Sequence, residues 1–313
     1  MQPIIQLRNV SKSYRGIQAL RGVDVDIPPG VIGLLGPNGS GKSTLIKGLL
    51  GLLRFNVGSA TVLGLSLPKQ RFAIRRSVGY LPEDDCYIAG LTGIESVAFM
   101  AKLSGLSGPE GLRRSHEILD FADLHEERYR PVESYSTGMR QKLKFAQAMV
   151  HDPDLLIMDE PTTGLDPNQR VAMLERIRTL ARKHRKSVLV STHILHDVQT
   201  TCDHVVILTA GQIVRVDSLD NLSRPAQAGW AIETCGPADA FFEALTDHAW
   251  TVSRRGDGSI WVSRDGAESP DEIWSLAAQH DVAIASLQPA RNSLEQIFFE
   301  TVRDASETPL ANS

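Results

Sequence analysis

The run Gly36-Pro37-Asn38-Gly39-Ser40-Gly41-Lys42-Ser43-Thr44 fits GxxxxGK[ST], a spacing made for holding phosphate. Its glycines let the backbone take positive φ and wrap N–H groups around anionic oxygens. Lys42 can then reach the β- and γ-phosphates of a nucleotide, and the Ser43 hydroxyl can face Mg²⁺. A second group of chemistry-bearing residues is Asp159-Glu160, directly after the apolar run Leu155-Leu156-Ile157-Met158. A carboxylate at the end of a buried strand can hold Mg²⁺ beside a phosphate loop, the role expected of Asp159. The next carboxylate, Glu160, is placed to orient or deprotonate a water. Read alone, the pair also fits a strand ending in a solvated acidic turn, and the loop fits a Gly-rich turn between a strand and a helix.

These residues need elements to hold them. Val31–Leu35 reads as a buried strand before the phosphate loop, and Thr44–Leu50 as a helix after it, whose N-terminus favours anions. Up to about residue 225 strands alternate with helices. Strands are expected at Ile4–Val10, Val23–Ile27, Ala60–Leu63, Val78–Leu81, Leu155–Met158, Ser187–Val190, His204–Leu208 and Gln212–Val216. Helices are expected at Ile94–Lys102, Glu110–Phe121, Met139–Val150 and Val171–Lys183. This is an α/β sheet with helices on its faces and an inserted helical segment at about 90–150. Leu222–Gly229 reads as a linker. Residues 226–302 then follow the order βαββαβ, the ferredoxin-like arrangement, with a turn at Gly256-Asp257-Gly258 and a last helix at Leu294–Val302. The segment 303–313 is expected to be disordered.

With both phosphate motifs placed, a resemblance emerges: the chain looks like the nucleotide-binding subunit of an ATP-binding cassette transporter over about residues 4–225. Tyr135-Ser136-Thr137-Gly138-Met139-Arg140-Gln141 sits where that family has its signature, LSGGQ. Thr162-Thr163-Gly164-Leu165-Asp166 resembles its D-loop, which brings Asp166 toward the nucleotide. His193, in Ser191-Thr192-His193, resembles the switch histidine, and Tyr14 the aromatic that stacks on adenine. Without the resemblance, Tyr14 reads as packing, Ser136 and Gly138 as a helix cap, and His193 as a structural histidine. The resemblance implies Glu160, His193 and Lys42 as catalytic residues. It also implies that ATP lies between the phosphate loop of one cassette and the Ser136 and Gly138 positions of a second, hence a dimer: a homodimer if the second is a copy of this chain, a heterodimer if it is a different cassette. The sequence departs from the family's pattern at Pro82-Glu83, where a glutamine is usual, so Glu83 joins Ser43 and Asp159 as a candidate Mg²⁺ ligand. The signature also lacks its usual first glycine (Thr137) and its glutamine (Met139). The YSxGMxQ form resembles ATPases that drive export-type permeases, and Asn292–Glu300 resembles their SLEDVF-type terminal helix, although Leu294, Ile297 and Phe298 equally read as the apolar stripe of a capping helix.

Bulk properties agree with that class. The chain has 313 residues, 42% hydrophobic and 22% charged, enough for about two domains. No apolar run approaches the ~20 residues that span a bilayer, and Met1–Leu7 is too short and polar for a signal peptide. Any membrane role must therefore come from a partner, and the resemblance implies a cytoplasmic protein held peripherally on the membrane by integral permease subunits. The formal net charge of −4 gives no drive toward nucleic acid. Cys86, Cys202 and Cys235 lack metal-ligand spacing and fit reduced thiols. Two other functions compete with transport. A cassette acting on ribosomes or DNA would be expected to carry two cassettes, a coiled coil or basic arms. A regulatory module without turnover would not need both Glu160 and His193.

Overall fold

In the computed structural model, which describes residues 2–223, 229–236, 238–254, 260–264, 269–289 and 294–307, the strands that end in candidate site residues are buried on both faces. The chain starts with β1 (Ile5–Tyr14), β2 (Ile17–Ile27), β3 (Val31–Leu35), α1 (Lys42–Leu49), β4 (Val57–Val62), β5 (Leu65–Leu67), α2 (Arg71–Ser77) and β6 (Val78–Leu81). A helical segment follows, with α3 (Gly93–Leu103), α4 (Gly108–Phe121) and α5 (Thr137–Met149). The chain then returns through β7 (Leu155–Asp159), α6 (Pro167–His184), β8 (Ser187–Ser191), α7 (Leu195–Thr201), β9 (His204–Thr209), β10 (Gln212–Ser218) and α8 (Leu219–Ser223).

The expected single sheet is two sheets. One is six-stranded, in the order β10-β9-β3-β8-β7-β6, and parallel except for β10 at its edge. The other is antiparallel, in the order β2-β1-β4-β5. Successive side chains of a strand point to opposite faces. Here Ile32, Leu34, Leu155, Ile157 and Leu189 enter a core shared with the antiparallel sheet and α1. Val31, Leu156, Met158, Val188 and Val190 enter a second core with the helical segment and α6. Two apolar faces explain why these strands read as continuous hydrophobic runs. They also hold the strand ends, and therefore the loops after them, in fixed register.

Contacts divide the chain into two compact units, Asp220–Glu300 and the remainder. In the smaller unit β11 (Gly229–Cys235), α9 (Asp239–Asp247), β12 (Thr251–Arg254), β13 (Ile260–Ser263), α10 (Asp271–Gln279) and β14 (Ala283–Pro289) follow in order. Its antiparallel sheet runs β12-β13-β11-β14, and its core is built on Phe241, Leu245, Trp250, Val262 and Ile273. A last helix, α11 (Leu294–Glu307), runs five residues into the segment expected to be disordered. Within it Leu294 and Ile297 are buried and Phe299 is exposed. The turn Gly256-Asp257-Gly258, most of the expected linker, Asn292-Ser293 and residues 308–313 lie outside the described residues. Among the described residues no helix is long and apolar enough to cross a membrane.

Candidate active site

The phosphate loop joins β3 to α1, and its shape depends on glycine. Gly41 caps α1 at φ 110°, a left-handed conformation that side chains resist. A Cβ on Gly36 would come within 2.1 Å of the Leu208 carbonyl oxygen, so the loop lies directly against β9. Lys42 opens the helix and is buried. Its Nζ donates to the carbonyls of Gly36 at 2.7 Å and Pro37 at 3.2 Å, holding the ammonium over the loop. Burial lowers its pKa, and the charges of Glu160, Asp159 and Glu83 oppose that shift. Ser40 Oγ is buried with no hydrogen-bond partner among the described residues.

Asp159 ends β7, and the strand breaks immediately after it. Glu160 sits at φ 49°, a strained value for a residue with a Cβ, and its N–H donates to Ser191 O of β8 at 2.8 Å. That turn aims the carboxylate back over the sheet. Glu160 Oε1 lies 3.0 Å from His193 Nδ1, a distance at which the imidazole N–H donates to the carboxylate. Oε2 accepts longer bonds from Thr163 Oγ1 at 3.4 Å and Thr192 Oγ1 at 3.5 Å. Gln141 Nε2 on α5 donates to the carbonyls of Glu160 at 3.3 Å and Pro161 at 2.8 Å, fixing the turn from behind. Asp159 is 5% exposed. Burial raises its pKa, and repulsion from Glu83 and Glu160 adds to the rise.

These groups face a cavity of about 300 Å³. It gathers Asn38, Gly39, Gly41, Lys42, Ser43 and Thr44 of the loop with Glu83, Asp159, Glu160 and His193. Ser43, Asp159 and Glu83 supply the hard oxygen donors that a divalent cation takes. Ala19 and Thr163 also line the cavity; nothing in their residue types marked them beforehand. The remaining expected residues lie elsewhere. Gly36, Pro37 and Ser40 belong to the loop without lining the cavity. Tyr14 ends β1, half exposed, with Lys12 Nζ 5.1 Å from its ring centroid. Ser136 caps α5, its hydroxyl accepting from Met139 N at 3.3 Å, and Gly138 is buried in the first turn. Asp166 caps α6 by accepting from Gln169 N at 3.0 Å. His196 is exposed on α7. A larger cavity, about 470 Å³, lies around Arg170, His196 and Asp197 and contains no phosphate-loop residue, so size does not mark the site.

Comparison with known proteins agrees with this geometry. The family model described as ABC transporter matches residues 20–163. The Nod factor export ATP-binding protein I of Cupriavidus metallidurans is 37% identical over 96% of this chain and 97% of its own length. The daunorubicin/doxorubicin resistance ATP-binding protein of Streptomyces peucetius is 36% identical over 94% of this chain and 91% of its own. Among solved structures, an ATP-binding subunit of an ABC transporter superposes with a TM-score of 0.63 at 32% identity, covering 70% of this chain and 91% of that one. A dimeric post-hydrolysis cassette bound to ADP and phosphate superposes with a TM-score of 0.64 at 26% identity, over 69% of this chain and 98% of that one.

Proposed function

This chain belongs to the ABC transporter family as an ATP-binding and ATP-hydrolysing subunit, and from that premise we propose that it powers export through separate integral membrane permeases. The observation that carries the proposal is the pairing of Glu160 with His193 at 3.0 Å in the cavity that holds Lys42 and Ser43. A subunit that only bound nucleotide would need the loop but not this pair. The direction of transport is supported by the two export and resistance relatives, which match along nearly their whole lengths. The form of the signature, Tyr135–Gln141, and the terminal helix at Leu294, read as SLEDVF-like, support the same direction.

In this reading Glu160 accepts a proton from the attacking water, and His193 holds the Glu160 carboxylate in place and faces the γ-phosphate. Lys42 leaves its loop carbonyls for the β/γ-phosphates, and Tyr14 stacks on adenine. Ser43, Asp159 and Glu83 would hold Mg²⁺. Their fit rests on the donor set: three carboxylates, Glu83, Asp159 and Glu160, share the cavity with Lys42, and that excess of negative charge calls for a hard cation. Bound there, Mg²⁺ neutralises charge on the phosphates. Ser136, Gly138 and Asp166 act on the nucleotide of a second copy, making the working unit a homodimer on the cytoplasmic face of the membrane. Residues 1–225 form the cassette, and 226–302 form a ferredoxin-like accessory domain, supported by the strand order β12-β13-β11-β14.

Glu160→Gln tests the reading in one preparation, full-length chain purified from detergent-solubilised membranes with ATP. We expect the variant to keep ATP, to turn it over about 10²–10⁴-fold more slowly than wild type, and to bring an integral membrane protein with it. Turnover near the wild-type rate removes the base assignment, and the absence of a membrane partner removes the transport assignment.

A further inference from the structure

Helix α5, capped by Ser136, turns three polar side chains onto the loops of the ATP cavity. Lys144 is 6% exposed. Its Nζ donates to three successive backbone oxygens, those of Pro82 at 3.1 Å, Glu83 at 3.0 Å and Asp84 at 3.4 Å. An ammonium carries three N–H donors, so the three carbonyls match its capacity. Cys86, Asp85, Asp84 and Glu83 attract its charge from the same loop. One turn earlier Arg140 holds the outer side of the same loop, with Nη1 2.9 Å from Asp85 Oδ2 and the guanidinium 5.0 Å from the Tyr87 ring centroid. Gln141, three residues before Lys144, grips the Glu160 turn through two carbonyls.

Burying an ammonium is costly unless it is well hydrogen-bonded. Here the hydrogen bonds of the ammonium go to backbone, and the backbone they fix carries Glu83 to the cavity. Residues three and four apart share one face of a helix. The Glu83 loop and the Glu160 turn are therefore fastened to one face of one rigid element. Any displacement of α5 reaches both carboxylates. We propose that Lys144 is a positioning residue for ATP hydrolysis: it ties helix α5, capped by Ser136, to the loop that sets Glu83, while Gln141 ties the same face to Glu160. The inference rests on the roles given to Glu83 and Glu160 above. Lys144 itself touches no reacting atom.

The test uses the full-length chain and Lys144→Met, which removes the charge and donors but keeps an unbranched stem. We expect kcat for ATP to fall about 10–10²-fold, the scale on which small misplacement of a reacting group acts. KM should stay within about threefold of wild type, and Tm should fall by only about a few degrees, the cost of the donors that the three loop carbonyls lose. Glu83→Ala combined with Lys144→Met should be no slower than the slower single variant, since both act through one loop. Losses that multiply overturn the proposal, as does a loss carried by KM, or wild-type turnover in Lys144→Met. If the methionine variant does not fold, Arg140→Met loosens the same loop from its partly exposed side and is judged by the same criteria. Glu160→Gln runs beside them: full activity there removes the site assignment, whereas loss there with none in Lys144→Met removes this inference alone.

Discussion

At the scale of single residues, the site assembles like charges that the free chain tolerates poorly. Asp159 shows it best. Its pKa is raised by burial, with Glu83 and Glu160 adding repulsion, so folding disfavours its charged form. A carboxyl whose folded pKa is raised carries no penalty below the ordinary aspartate range, and the penalty grows as pH rises through the folded value. Replacing Asp159 with asparagine removes that penalty. In the nucleotide-free chain the variant should therefore melt higher than wild type at neutral pH. The two melting curves should converge as pH falls toward about 4, where wild-type Asp159 is protonated as well. Thermal melts across that range check it; a variant that melts lower than wild type at neutral pH would show that the Ser191 hydrogen bond and the Lys42 charge outweigh the burial and repulsion that raise the Asp159 pKa. With Mg²⁺ and ATP the order should reverse, because only aspartate gains from the cation. Stability given up at a site for function is a common pattern.

At the scale of elements, Ser136 has two structural readings that one substitution separates. As the N-cap of α5 its hydroxyl accepts from Met139 N, and aspartate caps a helix about as well as serine. As a phosphate contact, aspartate would set a carboxylate against the γ-phosphate. Ser136→Asp should thus keep the wild-type Tm and lose most ATPase activity, while Ser136→Ala should cost about 1 kcal/mol of stability through the lost cap. Full activity in Ser136→Asp would leave the residue a cap alone. How far such elements were legible follows from which forces set them. The strands β3, β6, β7 and β8 were readable because both faces are buried, leaving continuous apolar runs with sharp ends. The short strand β5 and helix α2 were not, since they bury little: Ile74 is the one fully buried residue of α2 among those described. The division into two sheets was hidden as well, because pairing β1 with β4 is a long-range choice that no local pattern encodes. In the site, the phosphate loop and Asp159-Glu160 carry their chemistry in consecutive residues. Gln141 and Lys144 act on backbone carbonyls of distant loops, a role that depends on tertiary geometry and leaves no mark in residue spacing.

At the scale of the whole molecule, the cavity that holds the phosphate loop receives no signature residue from its own chain among the described residues. Lys42, Ser43, Asp159, Glu160 and His193 line it, yet no residue of Tyr135–Gln141 does. Ser136 stands exposed at the head of α5 in its own chain, as a group meant for a different surface would. If the γ-phosphate is held by the loop of one copy and the signature of another, the hydrolysing species is the dimer. Its population grows with the square of the chain concentration while monomers dominate. Specific ATPase activity should then climb with chain concentration at low concentration and level off once dimers dominate. Glu160→Gln should stabilise the ATP-bound dimer, because ligand that binds only the assembled form shifts assembly by mass action and here is not consumed. Dilution series of the purified chain, read by phosphate release and by sedimentation in ATP, test both parts. A specific activity that is flat across a wide dilution range, with only monomers sedimenting in ATP for Glu160→Gln, would show that one chain completes its own site and that Ser136 and Gly138 serve α5 alone.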